Sequence, residues 1–122
     1  MTDELRAHQS YDMSVFQVLT DETEGADPKV AERKIKRMLR RRDLGAYDQA
    51  QVDALRALRD DLQHEIGKFQ RSAYYRGTPE LSPTQHFDDQ RMIADYSRKY
   101  PQVRHPDIGG VVGYALYYYY LR

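Results

Sequence analysis

The residues of this chain with the most distinctive chemistry are cations gathered in one short segment. Residues 29–42, KVAERKIKRMLRRR, contain eight lysines and arginines against a single acid, Glu32. Such a density of positive charge suits a polyanion, because phosphates require charge and hydrogen-bond donors rather than a shaped pocket. The predicted nucleic-acid-binding residues are Lys29, Arg33, Lys34, Lys36, Arg37, Arg40, Arg41 and Arg42.

Other kinds of site have little support in the sequence. The chain has no cysteine, which excludes disulfides and thiol chemistry. None of the four histidines has a second ligand at a convincing metal-binding spacing, and the acids after His86 suit a helix N-terminus. The glycine-rich residues 109–113 lack the Lys-Ser/Thr of a phosphate loop, and no nucleophile–base–acid set is arguable. We therefore expect no catalytic residue, no metal and no cofactor, and a protein that is not an enzyme.

The basic segment is predicted to be a helix. Asp27 can cap its first turn, and Pro28 suits the first helical position because its missing N–H is not needed there. Gly45 is predicted to close the helix. A narrow apolar stripe at helical spacing would hold it against a core and leave the charges on another face; the stripe consists of Ala31, Ile35, Met38 and Leu39.

Two further helices are predicted. Asp48 and Gln51 have the spacing of a capping box, and a helix should run from residue 49 to about residue 75, roughly 40 Å at ~1.5 Å per residue. Its outer face, which alternates acids and arginines, should be solvated. Ser82 and Pro83 should start a helix over residues 82–100. The apolar face of the longer helix consists of Val52, Leu55, Leu58, Leu62, Ile66 and Phe69.

The C-terminal segment, residues 108–122, is rich in glycine and tyrosine. Four consecutive tyrosines cannot all lie on one side of a helix or a strand. We therefore expect neighbouring subunits to enclose part of this segment. Helix and strand both remain open, and a short helix is favoured because the rest of the chain is helical. The predicted subunit-interface residues are Tyr114, Tyr117, Tyr118, Tyr119 and Tyr120.

Length and composition favour one all-α domain of four to five helices, with an extended or oligomeric bundle as its architecture. At 122 residues and 40% hydrophobic content, we expect a thin core completed by other subunits. Residues 1–27 form an acidic arm with seven acids and one base. This arm should either shield the basic helix within one molecule or pair with a neighbour's basic helix. The polar start, MTDELRAHQ, predicts no secretory signal, and no apolar run is long enough to span a membrane.

Two stretches carry a resemblance to a known group of proteins. These are RKIKRMLRRR at residues 33–42 and IGGVVGYALYYYYLR at residues 108–122. In a short, cysteine-free helical chain they resemble the major capsid proteins of filamentous and rod-shaped viruses of hyperthermophilic archaea. The resemblance implies a small helical protein that wraps linear double-stranded DNA, holds it in an A-like form and stacks into a helical filament. It carries over no individual site residue.

Two functions from different classes follow. The first is a structural nucleoprotein that binds double-stranded DNA without sequence specificity and assembles with copies or closely related subunits, located in a virion if viral and otherwise in the cytoplasm. The second is a non-enzymatic adaptor or accessory subunit, whose basic helix docks on an acidic protein and whose tyrosine-rich tail anchors it. A charge run can also be no more than a solvated face. Binding to a membrane surface is disfavoured because the stripe lacks Trp and Phe.

Overall fold

The computed structural model describes residues 10–77 and 80–122, and these are entirely helical in their regular structure. Within these residues there are five α-helices: α1 (Tyr11–Leu19), α2 (Pro28–Arg42), α3 (Gln49–Ile66), α4 (Asp89–Lys99) and α5 (His105–Leu116). Short 3-10 turns cover Thr20–Glu24, Phe69–Arg71 and Pro83–Gln85, and a π-helical turn, Tyr117–Leu121, extends α5. The described residues contain no sheet, only one isolated antiparallel bridge between Tyr75 and Phe87. The predicted all-α class and number of helices are confirmed.

The cap of α2 forms as the sequence predicts, and that of α3 forms in part. The carboxylate of Asp27 accepts from the N–H of Lys29 at 2.7 Å, and Pro28 takes the first helical position. The carboxylate of Asp48 accepts from the N–H of Gln51 at 3.2 Å. The Gln51 amide does not return to Asp48, so the second half of the predicted box does not form. It donates instead to the buried carboxylate of Asp12, at 3.0 and 3.1 Å.

The C-terminus of α2 differs from the prediction. The left-handed residue that ends the helix is Asp43, with φ 53°, rather than Gly45. The N–H groups of Asp43 and Leu44 turn back to the carbonyls of Arg40 and Leu39, at 3.3 and 3.0 Å. The carbonyls of the last turn are thereby satisfied two residues earlier than a glycine cap at position 45 would allow.

Helix α3 is shorter than predicted, since it ends at Ile66 and not near residue 75. Gly67 follows, and Phe69 adopts a left-handed backbone with φ 52°, which turns the chain away from the helix axis. The hydroxyl of Ser72 then donates to the Glu65 carboxylate at 2.5 Å and fixes the returning chain to the last turn. Phe69 consequently leaves the apolar face and is half exposed.

The helix predicted over residues 82–100 begins later, at Asp89. Ser82 and Gln85 do form reciprocal capping contacts, but these close a single 3-10 turn. The reason lies at Phe87, which forms an antiparallel bridge with Tyr75: the N–H of Arg76 donates to the His86 carbonyl at 2.7 Å, and the N–H of Asp88 to the Tyr74 carbonyl at 2.8 Å. Helical backbone cannot continue through residues paired in this way.

The described residues of one chain supply a continuous core of their own; burial of further apolar surface by neighbouring subunits stays a prediction. The predicted stripe of α2 is buried, and so is the face of α3 from Val52 to Ile66. Val15, Phe16 and Leu19 of α1 are fully buried as well. The described part of the acidic N-terminal segment is therefore a core helix and not a detached arm; residues 1–9 lie outside the described residues.

The tyrosine-rich segment is helical and largely covered by its own chain. Tyr118 is buried, whereas Tyr117 is 51% exposed. The ring of Tyr120 packs edge-on against Phe87, with centroids 5.0 Å apart, and the ring of Tyr114 against Phe16 at 6.3 Å. Consecutive tyrosine rings point to different sides of the helix, as expected from the rotation of about 100° per residue. Within the described residues, no helix is both long and apolar enough to cross a bilayer.

Candidate nucleic-acid interface

All eight predicted cations lie on α2, and all eight are exposed. The arrangement follows from the packing of the helix. Ile35, Met38 and Leu39 are buried against the core, so residues on the other side of the helix face solvent. The helix thus presents its charge outward without losing the apolar contacts that hold it in place.

The cations form two rows when they are placed around α2 at about 100° per residue. The outer row lies opposite the buried stripe and consists of Lys29, Arg33, Lys36 and Arg40. The groove row borders α1 and consists of Lys34, Arg37 and Arg41; Arg42, on the side of the buried stripe at the end of the helix, lines the same groove. From Arg33 to Arg41 the helix rises about 12 Å. Cations spread over that length can meet several phosphates of one nucleic-acid strand, which are spaced about 3.4 Å along the axis.

Few of these charges have a partner within the described residues. Lys34 lies 3.7 Å from Asp21 and Lys36 lies 3.5 Å from Glu32, both as exposed pairs. Arg42 donates to the Ser14 hydroxyl at 3.1 Å. In the part of the chain that the structure describes, the five cations with no ion pair are Lys29, Arg33, Arg37, Arg40 and Arg41. Their charge is available to an external anion.

The acids that follow α1 do not neutralise the basic helix. Glu22 binds arginines of α3, Glu24 binds Arg122 at the C-terminus, and Asp21 alone among these described acids reaches a cation of α2. The predicted shielding within one molecule therefore reduces, in the described residues, to the single exposed pair of Asp21 and Lys34.

A groove of about 460 Å³ separates the groove row from α1. Its α1 wall is formed by Ser14 and Gln17, and Asp21 of the following 3-10 turn lies at the end of this wall. The Ser14 side chain is buried and its hydroxyl holds the Arg42 guanidinium against this wall. Among the described residues, the only carboxylate lining the groove is that of Asp21, which is already paired with Lys34. The groove is thus a concave, strongly cationic surface.

The predicted subunit-interface tyrosines are less available than the sequence suggests. Tyr118 is buried, and Tyr114, Tyr119 and Tyr120 are partly buried within the chain. Tyr117 alone among these five remains well exposed. With Leu121, four residues or about one turn further on, it leaves a small apolar patch on the C-terminal turn.

The sequence reasoning missed a buried ionic cluster beside α2, formed by Glu22, Arg56 and Arg59. Glu22 accepts from Arg56 at 2.8 and 2.9 Å and from Arg59 at 2.5 Å. The hydrogen bonds from Arg56 lower the pKa of the Glu22 carboxyl. Arg59 also donates to the Leu19 carbonyl at 2.8 Å, so the cluster fastens the end of α1 to α3.

A signal for this cluster was present in the sequence. Arg59 lies four residues after Leu55 and three before Leu62, within the apolar face and not on the solvated one. Gln17 and Ser14, by contrast, gave no signal, because their relation to α2 depends on how two helices pack.

The described residues contain no cluster of three or more His, Asp or Glu side chains arranged to hold a metal ion. His86 lies 2.5 Å from the Tyr120 hydroxyl and 3.2 Å from the Leu81 carbonyl, a structural arrangement that ties the C-terminal turn to the loop before α4. Asp88, next to it, caps α4 by accepting from the N–H of Arg91 at 3.2 Å.

No known family model matches this chain, and no curated protein or solved structure is significantly similar to it. A function for the molecule therefore has to come from the chemistry of its own surfaces, of which the basic side of α2 is the most distinctive.

Proposed function

We propose that this protein is a structural nucleoprotein that binds the phosphate backbone of double-stranded DNA through α2, without reading base sequence, and assembles along it with copies of itself. The observation that carries the proposal is a helix anchored by a buried stripe that presents five exposed cations without partners in the described part of the chain. Duplex DNA carries one negative charge per ~1.7 Å of its axis, a charge density that suits a surface with this many closely spaced cations.

Indifference to sequence follows from the same chemistry. Contacts to phosphates position a protein on DNA but carry no direct sequence information. A helix whose exposed side is almost wholly Lys and Arg is suited to such contacts. The suggested likeness to capsid proteins of filamentous archaeal viruses adds assembly to this proposal, and the exposed Tyr117 and Leu121 offer apolar area for contacts between copies.

The test is binding to random-sequence duplex DNA at about 50 and 200 mM salt, followed by fluorescence anisotropy and by negative-stain imaging of the product. If about four phosphates are neutralised, affinity should fall roughly 100-fold between the two salt concentrations. Different duplex sequences should give equal affinity, and the complexes should be regular filaments.

The decisive variant is R37E/R40E/R41E, which should abolish DNA binding while far-UV circular dichroism and thermal melting remain those of the wild type. A matched control, R71E/R76E/R98E, makes the same charge change at exposed positions outside α2 and should retain most of the affinity. Absence of wild-type binding at ~50 mM salt, or equal loss in both variants, would contradict the proposal. The alternative function, an adaptor that docks α2 on an acidic protein, would then be pursued.

A further inference from the structure

We propose that the groove between α1 and α2 is a phosphate-binding site, in which α1 supplies one wall and the groove row of α2 supplies the charge. The claim that this site binds a phosphodiester of DNA rests on the proposed function. The claim that it binds a phosphate group of any kind does not. The distinction matters for how DNA lies on the protein. A phosphate in this groove places the backbone along the junction of the two helices, with neighbouring phosphates within reach of the outer row.

The shape and charge of the groove support this assignment. Its volume of about 460 Å³ is large compared with the ~30 Å³ that a water molecule occupies in the liquid. Four cations line it: Lys34, Arg37, Arg41 and Arg42. Three of them are arginines, whose planar guanidinium suits bidentate hydrogen bonds to phosphate oxygens.

The α1 wall adds neutral donors where a phosphate would lie. Gln17 lines the groove, and its side-chain amide forms no hydrogen bond with another described residue. Ser14 holds Arg42 at 3.1 Å, so that this guanidinium is oriented before any ligand arrives. A cation positioned in advance loses less conformational freedom on binding than a free surface arginine does.

The other grooves beside α2 make weaker candidates. One of about 390 Å³ at the start of α1 has three acids against one cation, Arg104, so it disfavours anions; the acids are Asp12, Asp48 and Asp107. One of about 250 Å³ next to Tyr47 has only Lys36 and Arg40 as cations. Lys36 there is engaged with the Tyr47 ring, at 5.0 Å from its centroid, and with Glu32.

The test uses Gln17→Glu, which places a carboxylate in the groove and leaves every cation of α2 unchanged. Q90E makes the same substitution at an exposed position of α4 and serves as the matched control. Two probes are titrated into each full-length protein: inorganic pyrophosphate by calorimetry, and random duplex DNA by anisotropy. The wild type and Q90E should bind both probes. Q17E should lose pyrophosphate binding and bind DNA about tenfold more weakly, with a salt slope smaller by about one.

An outer-row variant, R33E/R40E, separates this site from the proposed function. It should weaken DNA binding and keep pyrophosphate binding. Wild-type affinity of Q17E for both probes would overturn the groove site, and loss of DNA binding by R33E/R40E would then still support DNA binding through α2. Binding of pyrophosphate but not DNA by the wild type, again lost in Q17E, would overturn the proposed function and keep the groove as a site for free polyphosphates.

Discussion

The arginines of α2 and those of α3 show the same side chain in opposite surroundings. Arg33, Arg37 and Arg40 are exposed and have no ion-pair partner among the described residues. Arg59, with 8% of its side chain exposed, is bound to Glu22 and to the Leu19 carbonyl. A buried guanidinium has to be paired because desolvation of an unpaired charge costs several kcal/mol. An exposed one stays hydrated and can exchange water for phosphate. The buried, paired arginine stabilises the fold, and the exposed, unpaired arginines are suited to binding a ligand.

The largest expected effect comes from breaking the buried cluster. E22A removes the buried carboxylate shared by Arg56 and Arg59 and leaves Asp60 as the one acid bound to Arg59 in the described residues, so the free energy of unfolding should fall by about 2–3 kcal/mol. Urea denaturation followed by circular dichroism measures this. E32A is the matched control, since it removes the exposed partner of Lys36 and should cost about 0.5 kcal/mol or less. Equal losses in the two variants would show that the cluster does not hold the fold.

Acid should weaken the same cluster. The hydrogen bonds from Arg56 lower the pKa of Glu22 in the folded protein, so the unfolded chain binds a proton at this residue more readily. The stability that Glu22 contributes is therefore present above its unfolded pKa of about 4.3 and is lost as the pH falls through the lower, folded pKa.

The measurement is the difference in unfolding free energy between the wild type and E22Q from pH 6 to pH 2. The difference should shrink by about 1.4 kcal/mol for each unit by which the pKa is lowered. Burial raises the pKa of Asp12, which acts in the opposite direction, but both proteins share that contribution and it cancels in the difference. A difference that stays constant with pH would contradict a lowered pKa at Glu22.

A smaller effect is expected where α2 ends. Asp43 adopts a left-handed backbone, which costs an ordinary residue about 1 kcal/mol, and it places a negative charge at the C-terminal end of a helix dipole. D43G should therefore raise the free energy of unfolding by about 1 kcal/mol, measured by urea denaturation. Gly45→Ala, two residues on at φ 105°, should have the opposite sign. A D43G variant less stable than the wild type would mean that the Asp43 side chain has a stabilising role.

The comparison also shows which features are readable in the sequence. The start and the buried stripe of α2 follow from local chemistry: the Asp-Pro cap and the spacing from Ala31 to Leu39. Arg59 lay on a readable apolar face, yet its partner is 37 residues away and only folding brings it near. The groove depends on how α1 packs against α2. The burial of Tyr114 depends on its contact with Phe16, and that of Tyr120 on its contact with Phe87. Contacts between distant segments leave no spacing to read.

Substitution of two exposed arginines of α2 should change stability least and still weaken DNA binding strongly. R33Q/R40Q removes two exposed charges that have other cations three or four residues away: Lys29, Lys36 and Arg37 for Arg33, and Lys36 and Arg37 for Arg40. Like charges at this spacing destabilise a helix by about 0.2–0.5 kcal/mol per pair, so the free energy of unfolding should stay the same or rise by up to about 1 kcal/mol. Affinity for duplex DNA should fall, with a salt slope smaller by about two because two phosphate contacts are lost.

The matched variant R56Q/R59Q makes the same substitutions in α3 and should lose several kcal/mol of stability, because Glu22 is then left buried without its cations. Urea denaturation and anisotropy on the same samples give both quantities. If R33Q/R40Q instead lost stability and kept its affinity for DNA, the exposed arginines would be structural after all. The division between paired charges that fold the chain and unpaired charges that bind would then fail at α2.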